Sequence, residues 1–169
     1  MKILGAVLAG GRSSRFGSDK ALAPFDGRPL IDHVIAALAA QADTVVVIGR
    51  DWPRQPHIHD RPAPGLGPLG GLCAALHHAA ATGHDAVLAA GCDLPRLPAD
   101  LGAALAPGPA HVLGQPTVGL WPSTLAAALD AHLAGGGRSL HGWAAHCNAR
   151  VVDLGPLPNI NTPADLRAL

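Results

Sequence analysis

The chain has no excess of either charge: twelve Lys and Arg balance twelve Asp and Glu, and charged residues make up only 14% of it. No basic surface is therefore on offer to nucleic acid or to an anionic membrane, and a small-molecule partner is the more natural expectation. It also lacks a long apolar run. The longest hydrophobic stretches are broken by Asp, His, Gly or Pro well before the ~18 residues that a membrane span requires. Met1-Lys2-Ile3 leads into a strand pattern rather than into the cleavage region of a signal peptide, so a soluble cytoplasmic protein is expected. Cysteine is scarce as well. Cys73, Cys92 and Cys147 are widely separated, odd in number and without Cys-x-x-Cys spacing, which argues against a disulfide framework or a zinc knuckle. Ten histidines invite a metal reading, but His77 and His78 are adjacent and His57-x-His59 is a lone pair, so these read as ordinary surface or satisfied side chains.

What is present is apolar and heavily punctuated. Hydrophobic residues make up 49% of 169 residues, enough for one domain, 1–169, with a proper core. The 21 glycines and 16 prolines fall between strongly periodic segments and mark turns rather than disorder.

Ile3 to Ala9 has the length and flanks of a fully buried strand and stops at Gly10-Gly11, where the backbone becomes conformationally free. The loop that follows is poor in large side chains at Gly10, Gly11, Ser13, Ser14, Gly17 and Ser18, and it carries Arg12, Arg15 and Lys20. Approachable N–H groups and three cations at the carboxyl end of a first strand suit phosphate oxygens. Neither Gly-x-Gly-x-x-Gly nor Gly-x4-Gly-Lys-Ser/Thr is matched. A Gly/Ser turn with solvated charges is the plainer alternative.

Leu30, Ile31, Val34, Ile35 and Leu38 recur at helical spacing, with Pro29 placed in the first turn. Val45 to Ile48 is a continuous β-branched run ending at Gly49-Arg50, as in a parallel strand covered on both faces. This strand, loop, helix and strand make a βαβ unit, whose ligands bind beyond the carboxyl ends of the strands. A short third strand is expected at 57–60, then a surface loop to Gly67, in which Asp60 taken alone reads as a solvated loop acid. A helix is expected from Leu72 to Gly83. Ala86 to Ala90 is the next buried strand and delivers Cys92-Asp93-Leu94-Pro95 at its carboxyl end. A carboxylate facing a phosphate loop is what a magnesium ion shared with phosphates needs, whereas an N-cap is the structural alternative for Asp93. Cys92, with no partner base in its motif, reads as packing. A short helix over 98–105, strands at 110–113 and 115–121, a helix over 123–133 and a last strand at 151–154 complete the pattern. Thr162-Pro163-x-Asp165 reads as a capped helix start.

Leu8-Ala9-Gly10-Gly11-x-Ser13-x-Arg15-Phe16-Gly17-x-Asp19-Lys20 resembles the signature loop of the molybdenum cofactor guanylyltransferases, with Phe16 where that family more often has Met. Cytidylyl-transferring relatives typically read Leu-Ala-Ala-Gly at this place. Gly67-Pro68-Leu69-Gly70-Gly71, Cys92-Asp93-x-Pro95, Gly136-x-Arg138-Ser139-Leu140 and Asn159-x-Asn161-Thr162-Pro163 resemble further segments of the family. The resemblance implies an α/β fold, a Rossmann-like three-layer sandwich with a mostly parallel sheet and helices on both faces. It implies transfer of GMP from GTP to the phosphate of molybdopterin, with Mg2+ as cofactor and Asp93 as its ligand.

By the same resemblance, Leu8, Ala9, Gly10, Gly11, Arg12, Ser13, Lys20, Asp60, Gly67, Pro68, Leu69, Gly70 and Asp93 bind the nucleotide, and Arg15, Lys20 and Asp93 act in the transfer. Arg138, Ser139, Asn159 and Asn161 fall on the acceptor side, although a surface arginine and helix capping explain the same letters. GTP and molybdopterin are the implied partners, with molybdoenzyme maturation proteins beside them, and a monomer is expected. In relatives a longer charged hairpin precedes Pro116 to Leu120, and here only Gly114-Gln115 stands in its place. CTP or another phosphorylated acceptor, and a non-catalytic module that binds nucleotide and cofactor, are the competing readings.

Overall fold

The computed structural model describes residues 1–11 and 19–169. In chain order these form β1 (Ile3–Leu8), β2 (Pro24–Phe25), β3 (Arg28–Pro29), α1 (Leu30–Ala39), β4 (Thr44–Ile48), β5 (His57–Ile58) and α2 (Pro68–Ala81). There follow β6 (Ala86–Gly91), α3 (Leu101–Leu105), β7 (Ala110–Val112), β8 (Gln115–Pro122), α4 (Ala126–Ala134), α5 (Leu140–His146), β9 (Arg150–Val152) and α6 (Pro163–Ala168). Short 3₁₀ turns occupy Lys20–Leu22 and Ser123–Leu125.

Seven strands form one sheet in the order β5-β4-β1-β6-β8-β7-β9, and β2 and β3 pair separately. β1 runs parallel to both β4 and β6, and β8 is antiparallel to both β6 and β7. The buried strands read as unbroken apolar runs because side chains of alternating direction meet helices on both faces. On one face Leu4 and Ala6, Val46 and Ile48, and Val87 and Ala89 pack with Leu69, Leu72 and Leu76 of α2, Leu129 of α4 and Trp143 of α5. On the other face Val7, Val45, Val47, Leu88 and Ala90 meet Ile31, Val34 and Leu38 of α1 and Leu101 and Leu105 of α3. This is the three-layer α/β arrangement expected. Trp143 is fully buried beside Trp121, with ring centroids 6.5 Å apart, so it is a core side chain.

Several bounds differ from expectation. Helix α2 begins at Pro68, four residues before Leu72, because proline at N1 sacrifices only an N–H that the first turn leaves unpaired. Pro29 sits at the N-cap of α1, outside its first turn. β5 spans two residues, so Asp60 lies beyond it. A two-residue turn, Leu113 and Gly114, joins β7 to β8, with Gly114 at φ +73°. Thr162 and Asp165 form a reciprocal capping box at the start of α6. Among the described residues no helix is long and apolar enough to cross a membrane.

The connection leaves β1 for β4 on one side, and the chain later returns to β6 on the other. The order of the sheet therefore reverses at β1. A crevice at the carboxyl end of β1 is the topological consequence.

Candidate functional site

Four loops converge on that crevice. Gly10 and Gly11 follow β1, Gly49 and Arg50 follow β4, Asp60 follows β5, and Gly91 to Asp93 end β6; all but Gly49 line one cavity, together with Gly67 and Pro68 at the start of α2. The loops are held in register by main-chain bonds: Ala9 N–H donates to the Ile48 carbonyl at 3.0 Å, Gly49 N–H to Ile58 at 2.8 Å and Cys92 N–H to Leu8 at 3.3 Å.

Two glycines make the convergence possible. Gly49 has φ +87°, and a Cβ placed on it would stand 2.5 Å from Gly10 Cα and 2.8 Å from Gly10 N, so the two loops touch main chain to main chain. A Cβ on Gly91 would fall 2.6 Å from Asp93 Oδ1; its absence lets that carboxylate fold back over the end of β6.

Lys20 and Asp93 face each other in the cavity, with Nζ 3.5 Å from Asp93 Oδ2 and side chains 20% and 22% exposed. Lys20 Nζ also donates to Asn161 Oδ1 at 3.4 Å. The lysine is aimed by its neighbour. Asp19 caps the 3₁₀ turn by accepting from Ala21 N–H at 3.2 Å, and both its oxygens accept from the Arg50 guanidinium, one of them at 2.8 Å. The bidentate bond to Arg50 is the largest influence on Asp19 and holds its carboxyl below the usual carboxylate range. Arg50 lies over the Trp52 ring at 5.8 Å from its centroid, and Trp52 Nε1 donates to Asp32 at 2.8 Å, which anchors the assembly to α1. Arg50 Nε is buried and has no hydrogen-bond partner among the described residues.

Asp60 lines the same cavity, beside Gly10 and Gly49. Burial raises its pKa above the ordinary aspartate value, with His59 opposing weakly. Arg61 N–H donates to the Gly70 carbonyl at 3.1 Å, fixing Asp60 against the first turn of α2. Burial, reinforced by the neighbouring Asp93 carboxylate, pushes the Cys92 thiol up to about 11. It is neutral at physiological pH, as a packing residue rather than a nucleophile should be.

The structure thus brings together Leu8, Ala9, Gly10, Gly11, Lys20, Asp60, Gly67, Pro68 and Asp93 around one cavity, with Asn161 bonded to Lys20 at its edge. Other expected positions are elsewhere. Leu69 is fully buried among core residues and Gly70 packs against Leu66 and Asp60, so neither lines the cavity. Arg138 donates to the carbonyls of Leu133 and Gly137 at the end of α4, and Ser139 accepts from Gly142 N–H as the N-cap of α5. Neither they nor Asn159 line the cavity. Arg12, Ser13 and Arg15 lie outside the described residues.

Asp19, Arg50, Gly91 and Thr117 also line the cavity; they fall in or beside segments that the sequence marks, without a site role of their own there. Its place at the carboxyl end of a buried strand marks Arg50; nothing local marks its pairing with Asp19.

The cavity offers cations, glycine-rich turns and a hard carboxylate oxygen in one lining. That set is chemically suited to phosphate oxygens, and Asp93 is the residue that could hold a small divalent cation, since Mg2+ binds through one or two carboxylates and completes its shell with water and phosphate oxygens.

The model of the MobA-like NTP transferase domain matches residues 5–149. A molybdenum cofactor guanylyltransferase of Rhodobacter capsulatus is 38% identical over 98% of this chain and 94% of its own length. That of Acidiphilium cryptum is 37% identical over 96% and 91%. Among solved structures, molybdopterin-guanine dinucleotide biosynthesis protein A from Archaeoglobus fulgidus superposes with a TM-score of 0.74 at 23% identity, covering 98% of this chain and 95% of its own. The 2-C-methyl-D-erythritol 4-phosphate cytidylyltransferase of Thermus thermophilus shares the fold at a TM-score of 0.63 and 15% identity, covering 99% and 96%. A match across this much of the chain, at these identities to full-length relatives, makes the protein a member of the MobA-like NTP transferase family.

Proposed function

We propose that residues 1–169 act as one nucleotidyltransferase domain that transfers GMP from GTP to the terminal phosphate of molybdopterin and releases pyrophosphate. The observation that carries this reading is the pairing of Lys20 and Asp93, 3.5 Å apart in the lining of the cavity. The names borne by the relatives of Rhodobacter capsulatus and Acidiphilium cryptum support the choice of nucleotide and acceptor.

The chemistry asks little covalent work of the protein. A phosphomonoester with a second pKa near ~6 is largely dianionic at neutral pH, so the acceptor attacks the α-phosphorus without a general base. The bond to the acceptor oxygen forms as the bond to pyrophosphate breaks. What the protein supplies is position and neutralising charge. Lys20 neutralises triphosphate oxygens, and the main-chain N–H groups around Gly10 and Gly11 donate to others. Asp93 would hold Mg2+, which neutralises the charge that builds on the phosphates. Asp60, an acceptor-only group, meets nucleoside N–H or O–H donors beside the first turn of α2.

Asp93→Asn tests the assignment. It should lower magnesium-dependent pyrophosphate release by about 10²–10³-fold, the loss typical of removing one preorganised charge-stabilising group, while the thermal melting profile changes little. Turnover equal to the parent's refutes it. The two-residue turn between β7 and β8 favours one second reading, a different phosphorylated acceptor, because it leaves little chain to embrace a pterin.

A further inference from the structure

The strongest chemistry outside the cavity lies where α2 meets α4. Cys73 and His77 are four residues apart on α2 and so share one face of the helix. Asp130 projects from α4 between them. Cys73 Sγ donates to Asp130 Oδ1 at 3.2 Å, and His77 Nε2 lies 2.7 Å from Asp130 Oδ2. The ligand-capable sulfur, nitrogen and oxygen atoms lie within 4.8 Å of one another, the sole such trio of His, Cys, Asp and Glu side chains among the described residues.

We propose that Cys73, His77 and Asp130 form a three-ligand binding site for a Zn2+-class divalent cation, with water in the fourth position, separate from the nucleotide cavity. Tetrahedral Zn2+ with bonds of ~2.3 Å to sulfur and ~2.0 Å to nitrogen and oxygen places its ligand atoms about 3.3–3.5 Å apart. Cys73 Sγ and Asp130 Oδ1 are 3.2 Å apart and His77 Nε2 and Asp130 Oδ2 2.7 Å, so an entering ion has to open these two contacts by about 0.3–0.6 Å. Thiolate and imidazole select a borderline-soft cation over Mg2+, which prefers oxygen alone. A path to the site exists: Cys73 is fully buried, but the side chains of His77 and Asp130 are 31% and 35% exposed. Arg61 Nε lies 3.4 Å from Asp130 Oδ1 and serves as the outer partner that orients a ligating carboxylate.

On binding, the thiol S–H bond breaks, its proton leaves to solvent and a sulfur–metal bond forms. The thiolate and carboxylate then neutralise the divalent charge, and the charge of Arg61, whose side chain is 50% exposed, is left to solvent. Without a cation, burial and the bond to Asp130 hold the Cys73 thiol up at about 12.

The probe is Co2+, titrated into the full, reduced chain after chelator treatment and followed by absorption. One equivalent should bind with an intense thiolate-to-cobalt charge-transfer band and four-coordinate visible bands. Cys73→Ser should abolish the charge-transfer band. His77→Gln should weaken binding at least tenfold, and because His77 is part-exposed this variant decides the matter even if the buried serine fails to fold. Asp93→Asn should leave the band intact. A parent protein that shows no such band overturns the proposal. So does a band that survives Cys73→Ser, which would belong to Cys92 or Cys147, a titration unchanged by His77→Gln, or a band lost with Asp93.

Discussion

Gly49 is the point at which fold and site depend on a single missing side chain. Alanine there would have to keep φ near +87°, a backbone region that costs an L-residue about 1–2 kcal/mol. Its Cβ would stand 2.5 Å from Gly10 Cα, where carbon atoms ordinarily rest about 3.5–4.0 Å apart. Relief requires Gly10 to move by about 1 Å, and overpacking of this kind costs about 1–3 kcal/mol. Gly49→Ala should therefore lose about 2–5 kcal/mol out of a typical ~5–15 kcal/mol of stability.

The displaced atoms belong to the turn proposed to grip phosphate, so GTP affinity should fall too. Gly11→Ala is the control, since a Cβ there meets nothing within 4 Å among the described residues, and its stability should change by less than ~0.5 kcal/mol. Urea denaturation gives the first quantity and isothermal titration with GTP the second. Equal stability of the two variants, or unchanged affinity in Gly49→Ala, would refute the reasoning.

Two further outcomes concern charge. Burial raises the pKa of Asp60, so its ionised form costs stability above the folded-state value, and that cost is relieved as pH falls through it. Asp60→Asn should raise the melting temperature at pH 7 while weakening GTP binding, with the stability gain shrinking toward pH 4. Asp19 is the opposite case. Its pKa is lowered by Arg50, so it contributes stability above the unfolded value near 3.8, and the contribution is lost as pH falls through the folded value. With the Asp19 side chain 37% exposed and screened by solvent, Asp19→Asn should cost about 1 kcal/mol at pH 7 in urea denaturation. The gap should narrow in acid.

The central strands were legible because burial on both faces leaves only one composition available. Ile3–Leu8, Thr44–Ile48 and Ala86–Gly91 appear in the sequence as apolar runs, and the carboxyl-end rule then locates the crevice. Lys20 and Asp93, 73 positions apart, meet there because both strands point the same way. The start of α2 was obscured because Gly-Pro-Leu-Gly-Gly carries the marks of a turn, yet proline at N1 and small residues against Asp60 suit a helix start. Leu69 and Gly70 were assigned to the site by motif, but the rotation of the first helical turn aims Leu69 into the core. Arg138 and Ser139 serve helix ends, a use their letters equally allow. The bond between Arg50 and Asp19 joins segments 31 residues apart and leaves no periodic trace. Cys73 and His77 are visible as a helical i, i+4 pair, but only folding brings Asp130 to them.

The most direct test of the account is to incubate the purified protein with Mg2+ and GTP, CTP or ATP, with and without molybdopterin, and to measure pyrophosphate. The account predicts release from GTP that depends on molybdopterin and on Mg2+, with CTP and ATP far behind. Release from CTP at the same rate, or GTP binding with no pyrophosphate released from any nucleotide when molybdopterin is present, would contradict it.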